Sequence, residues 1–430
     1  MRLIVNAALA VRRFFISKTV FSFIIVSFIV SLGWVIHIRE GKDLKVGLFG
    51  VEQVLQKKSP YENPTDPNRT IYRYAPGITI LQYPFLMQSK SIRPFYYKDI
   101  TPSALAWYFT VLASLFLSLR MLLKLIPSSS RRISIDNLKV SLLLALPFIG
   151  YELSNGQNKL LSLFFTILAL YLFEKKRFFP AAVSFCVGLT IYIALFPFLF
   201  YFLIRKKAFI LHFLFGVLVV FFIVPSFFFG FHFNNFLLGE WFRLALKPFF
   251  FTDSYTSYID LRHSNQAMPG AIGRIFVSGN TEGFRYAVSP LVVHLVVRFF
   301  SAVFVLFSIF AVWKNKQEAR RGLAYAVFFI LPLVLPLYCI YYTWAWVLVL
   351  YYAIFNYIDS GAASAGEKRL LRGLVCLSYA SLALIGFDAL NKFSLIFWST
   401  AILWAGLVSV LIANAKNNLH LPHVPGGRTG

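Results

Sequence analysis

A chain of 430 residues that is 58% hydrophobic and 18% aromatic but only 14% charged, with a mean hydropathy of +0.69, has too little polar surface to enclose itself as a water-soluble globule. The formal net charge of +25 does not indicate a nucleic-acid partner, because the Lys and Arg residues fall in short clusters between apolar runs instead of along one face or arm. The expected fold class is all-α, a polytopic membrane protein.

A crossing helix needs about 20 largely apolar residues, each rising about 1.5 Å through a core about 30 Å thick. Runs of this kind lie near 19–37, 104–126, 138–152, 158–173, 207–230, 288–313, 323–340, 342–358, 371–389 and 393–414. No A-x-A-like site follows the first, Thr19 to Ile36, which is therefore expected to stay as an anchor. The run 179–204 sits between the clusters Lys175-Lys176-Arg177 and Arg205-Lys206-Lys207. If both clusters are cytoplasmic, the chain enters and returns within that run, as two short helices meeting near Ala194-Leu195-Phe196-Pro197 with the turn enclosed in protein.

The positive-inside rule then predicts about 12 helices with both ends cytoplasmic. The whole chain, 1–430, reads as one membrane domain with two long extracytoplasmic loops, 39–104 and 231–288, and a cytoplasmic tail, 415–430. In the first loop, Leu44 to Leu55 places Val46, Phe49 and Leu55 near helical spacing, as in a helix lying along the membrane surface. Cys186, Cys339 and Cys376 fall inside apolar runs without metal-type spacing and are expected to pack.

The first loop also carries the motifs. Asp43-x-Lys45-Val46 is followed by Lys57-Lys58-Ser59-Pro60-Tyr61-Glu62-Asn63-Pro64, then by Tyr72-Arg73-Tyr74-Ala75-Pro76 and Tyr83-Pro84. This order resembles the start of bacterial GT-C class glycosyltransferases that use polyprenyl-phosphate sugars, in particular the mannosyltransferase-like family formerly labelled a domain of unknown function. The resemblance continues in Asn155-Gly156-Gln157-Asn158, Lys175-Lys176-Arg177, Gly188-Leu189, Pro197, and Asn265-Gln266 with Gly270 and Arg274. It implies a GT-C-like bundle in the cytoplasmic membrane with the active site on the extracytoplasmic face. The implied reaction moves a sugar, mannose or another hexose first and a pentose second, from polyprenyl phosphate to a lipid-linked or envelope glycan. It implies no cofactor and no metal.

By position, the resemblance makes Asp43 the catalytic base. Inverting sugar transfer needs one carboxylate to take the acceptor proton, whereas the phosphate leaves without protonation. The bland reading is that Asp43 caps the helix beginning at Leu44. Arg69, Arg73, Arg262, His263 and Arg274 are candidates for holding the donor phosphate, against a reading as solvated or headgroup-facing cations. Asn155, Gln157, Asn265 and Gln266 are candidates for sugar or acceptor binding; Asn155, Gln157 and Asn158 can equally cap the helix that follows them.

Many relatives have a lysine where this chain has Ala194 and a His-His pair where it has Tyr341-Tyr342. Those tyrosines are candidates for donating hydrogen bonds to the phosphate, without positive charge, and with Trp344 and Trp346 they equally fit an interfacial aromatic belt. Glu152 and Asp388, near span ends, either act in a site or reach the headgroups. Two other classes compete with the enzyme. A transporter or lipid flippase calls for polar residues near the midplane and repeated halves, neither of which is evident. An assembly protein of the envelope would tolerate loss of Asp43.

Overall fold

The computed structural model describes residues 18–34, 42–61, 72, 74–86, 101–247, 265–276, 289–315, 317–336, 339, 341–384 and 393–413. These residues are helical or in turns, with no strand among them, so the chain is an all-α polytopic membrane protein. Among the described residues, five helices have the length and apolarity of a full crossing: Pro102–Leu125, Arg131–Asn155, Phe209–Phe229, Leu291–Lys314 and Leu395–Ala413. Others are shorter. Lys159–Glu174 has 16 residues, Arg321–Val334 has 14 and Val347–Asp359 has 13, so the expected total of about 12 crossings counts several that fall short of a straight traverse of about 30 Å.

Helix ends follow local chemistry. Ser130 accepts from the Ile133 amide at the head of Arg131–Asn155, and Ser289 accepts from Val292 ahead of Pro290. Ser364 and Glu367 form a reciprocal capping box at Ala365–Ala383. The stretch 179–204 breaks as expected. Phe178–Ile191 ends at an extended Tyr192, a single 3-10 turn covers Ile193–Leu195, and Phe198–Arg205 follows Pro197. Gly230, at φ 88 and ψ 145, separates Val224–Phe229 from Phe231–Trp241, so the second long loop opens as helix.

The short helix Lys159–Glu174 packs between Thr101–Leu125 and Phe178–Ile191, and the latter packs on Phe209–Val217 through Gly216. A Cβ on Gly216 would lie 3.1 Å from the Ala182 carbonyl and from Cys186 Sγ, which is why a glycine stands at this crossing. Arg321–Val334, Val347–Asp359 and Leu395–Ala413 form a second packed group. At one end Arg320 donates to the Tyr357 hydroxyl at 3.0 Å, the Val410 carbonyl at 3.1 Å and Glu367 at 2.9 Å.

The surface helix in the first loop spans Lys42–Leu55, and its seam differs from the expected one. Leu44, Leu48, Val51 and Val54 are buried against Ile78–Leu86, at an i, i+4, i+7 repeat. Val46 and Phe49 are half-buried and Leu55 is exposed, leaving the predicted triple on the outer side. Gly47 and Gly50 allow the close approach: a Cβ there would collide with the Gln82 amide and the Tyr72 ring.

Candidate active site

The tail of Arg131–Asn155 builds the centre. Gly156 takes a left-handed φ of 67 and ψ of 34, its amide bonds to the Leu153 carbonyl, and the Gln157 amide bonds to the Glu152 carbonyl at 3.1 Å. This is a Schellman closure, and the glycine is there because a side chain is disfavoured in that conformation. The turn aims Gln157 sideways, and its Nε2 donates to Asp43 Oδ2. Asp43 and the Asn155-Gly156-Gln157-Asn158 run, with Asp43 and Gln157 114 positions apart, therefore meet. Asp43 lies in the first turn of Lys42–Leu55 and keeps partial exposure.

Asn158 heads the next helix but its side chain makes no capping bond. Glu152 does that work from across the turn, its Oε1 accepting the Leu160 amide at 2.7 Å. The expectation that Glu152 reaches the headgroups is corrected: it is wholly buried. Asn155 is turned onto the Tyr151 carbonyl at 2.6 Å, a bond internal to its own helix.

Two residues absent from the sequence reading join this layer. Lys159, partly exposed, holds its Nζ 3.5 Å from the centre of the Tyr192 ring and interacts electrostatically with Glu152, Cys339 and Asp43. Tyr192 is fixed beneath it, donating to the Pro332 carbonyl at 2.6 Å and meeting Trp346 edge-on at 5.7 Å. Tyr74 is held by the Tyr61 hydroxyl, which donates to the Tyr74 carbonyl at 2.6 Å, and by a ring contact with Tyr72 at 5.5 Å. Burial raises the Tyr74 hydroxyl above the ordinary phenol range, and the carboxylates of Asp43 and then Glu152 push the same way. Tyr74 therefore remains a neutral hydrogen-bond donor beside both acids.

The second motif cluster adjoins the first through Cys339. Its amide donates to Asn265 Oδ1 at 3.0 Å and its carbonyl accepts from the Gln266 amide at 2.9 Å. Asn265 Oδ1 also accepts from Ala267 at 3.1 Å, so this side chain shapes the turn before Met268–Phe276. Gly270 is required beside it, since a Cβ would sit 2.6 Å from Asn265 Nδ2. Arg274 is buried and donates to the Asn265 carbonyl at 2.8 Å and to Ser394 at 2.5 Å. A loop cation open to a phosphate was expected there; the guanidinium instead ties two distant segments together.

Arg69, Arg73, Arg262, His263 and Asp388 lie outside the described residues. Tyr341 and Tyr342 open the 3-10 turn Tyr341–Trp346, while their side chains lie outside the description. The aromatic-belt reading is corrected for Trp344 and Trp346, both fully buried, with Trp346 Nε1 donating to the Lys159 carbonyl at 3.1 Å. Of the signals that were missed, Lys159 had a visible one: it is a single charge at the head of an otherwise apolar run.

No curated protein matches the chain. A family model does, over residues 72–336, which is more than half of the 430. That stretch includes Tyr74, Glu152, Gln157, Lys159, Asn265 and Arg274, and it begins after Asp43, which joins the site through its bond to Gln157. With its Gly-Gln turn, buried Glu152 and tethered Asn265 segment all inside the matched region, the chain belongs to glycosyltransferase family 87.

Proposed function

We propose that this protein transfers a sugar, mannose or another hexose first and a pentose second, from a polyprenyl-phosphate donor to a lipid-linked or envelope glycan, with inversion. The carrying observation is the meeting of Asp43 with Gln157 in a layer that also holds Tyr74, Glu152 and Lys159. Asp43 is partly exposed and accepts from the neutral Gln157 amide, so its carboxylate can take the proton of an acceptor hydroxyl. The acceptor oxygen attacks the anomeric carbon, the bond to the phosphate oxygen breaks, and its electron pair departs with the phosphate. The Tyr74 hydroxyl, kept protonated, is placed to orient hydroxyls at the same point.

An apolar cavity of about 160 Å³ supports a lipid donor. It is lined by Gly77, Ile80 and Leu81 on one side and by Val183, Val187 and Thr190 on the other. It starts three residues beyond Tyr74, where the Ala75 amide donates to the Thr190 carbonyl at 3.1 Å, so a hydrocarbon chain seated there would bring its head toward the carboxylates. The distribution of basic clusters favours a multi-pass protein of the cytoplasmic membrane with this layer on the extracytoplasmic face.

The test is a reconstituted transfer assay with a panel of polyprenyl-phosphate sugars, comparing the parent with Asp43→Asn. Loss of turnover by about 10²- to 10⁴-fold is expected for removal of a general base. Undiminished transfer by Asp43→Asn would remove the assigned base, and transport of lipid without any transfer would put a flippase in place of the enzyme. Labelling from outside intact cells at Asp66→Cys and His263→Cys checks the membrane side, with protection of both overturning it.

A further inference from the structure

We propose that the Lys159 ammonium is the cation that receives the phosphate of the lipid donor, and that Glu152 is the neighbouring anion that competes with the phosphate for it. The inference rests on the transferase reading above and adds a residue that the sequence motifs did not mark.

Two acids, Asp43 and Glu152, share the layer, and a phosphate brought beside them is repelled unless a cation stands there too. The candidate guanidinium, Arg274, is buried and bonded to the Asn265 carbonyl and Ser394. Lys159 differs in each respect. It keeps partial exposure and interacts electrostatically with both Asp43 and Glu152. Its ammonium rests on the Tyr192 face at 3.5 Å, and Tyr192 is in turn locked by Pro332 and Trp346, so the charge is placed before any ligand arrives.

Glu152 explains how such a cation is tolerated without ligand. One of its oxygens is occupied by the Leu160 amide, while Oε2 is buried with no hydrogen-bond partner among the described residues. A carboxylate held that way supplies negative charge to Lys159 without engaging all three of its donors. In the transfer step, the anomeric carbon–oxygen bond breaks with both electrons going to the phosphate oxygen. The ammonium faces the charge that grows there, and the acceptor proton goes to Asp43.

The experiment measures binding of farnesyl phosphate and farnesol to the full chain in detergent micelles. The parent is expected to prefer the phosphate at least tenfold. The double variant Glu152→Gln with Lys159→Met removes both charges and strands neither; it is expected to lose the preference with farnesol binding unchanged, while Lys159→Arg retains it. Glu152→Gln alone, lacking the competing anion, should bind farnesyl phosphate several-fold more tightly. A parent without the preference, a folded double variant that keeps it, or a Glu152→Gln variant that binds no better would each overturn the assignment; should the double variant fail to fold, Glu152→Gln and Lys159→Arg decide. The two readings fail separately. Lys159-dependent phosphate binding without sugar transfer from any donor removes the transferase donor, whereas transfer with a phosphate preference indifferent to Lys159 removes only this role.

Discussion

Replacing Gln157 by leucine keeps the approximate volume of the side chain and deletes its donation to Asp43 Oδ2. A hydrogen bond to a charged group contributes about 1.5–3 kcal/mol, and a factor of ten in rate corresponds to about 1.4 kcal/mol, so turnover should fall roughly 10- to 150-fold if the bond exists to aim the base. The loss should appear in kcat, with the donor KM little changed, because Gln157 acts through Asp43. The assay is a double-mutant cycle in reconstituted transfer, with Asp43→Asn as the second arm. In the Asp43→Asn background the leucine should cost no more than about twofold, since nothing is left to aim. If Gln157→Leu costs its full factor in that background, Gln157 contacts the sugar directly and the positioning argument is wrong.

Gly156→Ala forces a Cβ into a left-handed residue and should destabilise the protein by about 1–2 kcal/mol, lowering the thermal midpoint in detergent and disturbing Gln157 enough to reduce transfer. Arg320→Met leaves Glu367 at the helix cap without its buried partner and strips a donor from Tyr357, so chemical unfolding should show a loss of about 3–5 kcal/mol. Cys339 is buried, so maleimide at neutral pH should leave it unmodified until the protein is unfolded.

What the sequence disclosed follows the range of the interactions concerned. The break at 193–197 and the helix at 42–55 are written in local patterns, basic clusters and proline for one and an apolar repeat for the other. The importance of Asn155-Gly156-Gln157-Asn158 was legible, because a glycine that ends one helix beside polar residues that begin another is a local signal. Its meaning was not, since Gln157 spends itself on a residue 114 positions earlier. Arg274 shows the same limit: a cation in a polar loop reads as ligand-binding until Ser394, 120 residues on, is found to occupy it. Trp344 and Trp346 carry the composition of a membrane-interface belt, and only the complete burial of both, with Lys159 and Tyr192 packed around Trp346, shows that they are core.

The burial around the head of Lys159–Glu174 has a consequence for the chemistry. Glu152, Gln157 and Asn158 are buried there, and Asp43 and Lys159 keep only partial exposure. For a transferase, such enclosure limits hydrolysis: bulk solvent is thinned out around the activated sugar, and the hydroxyl that arrives is one delivered on a larger molecule long enough to reach in.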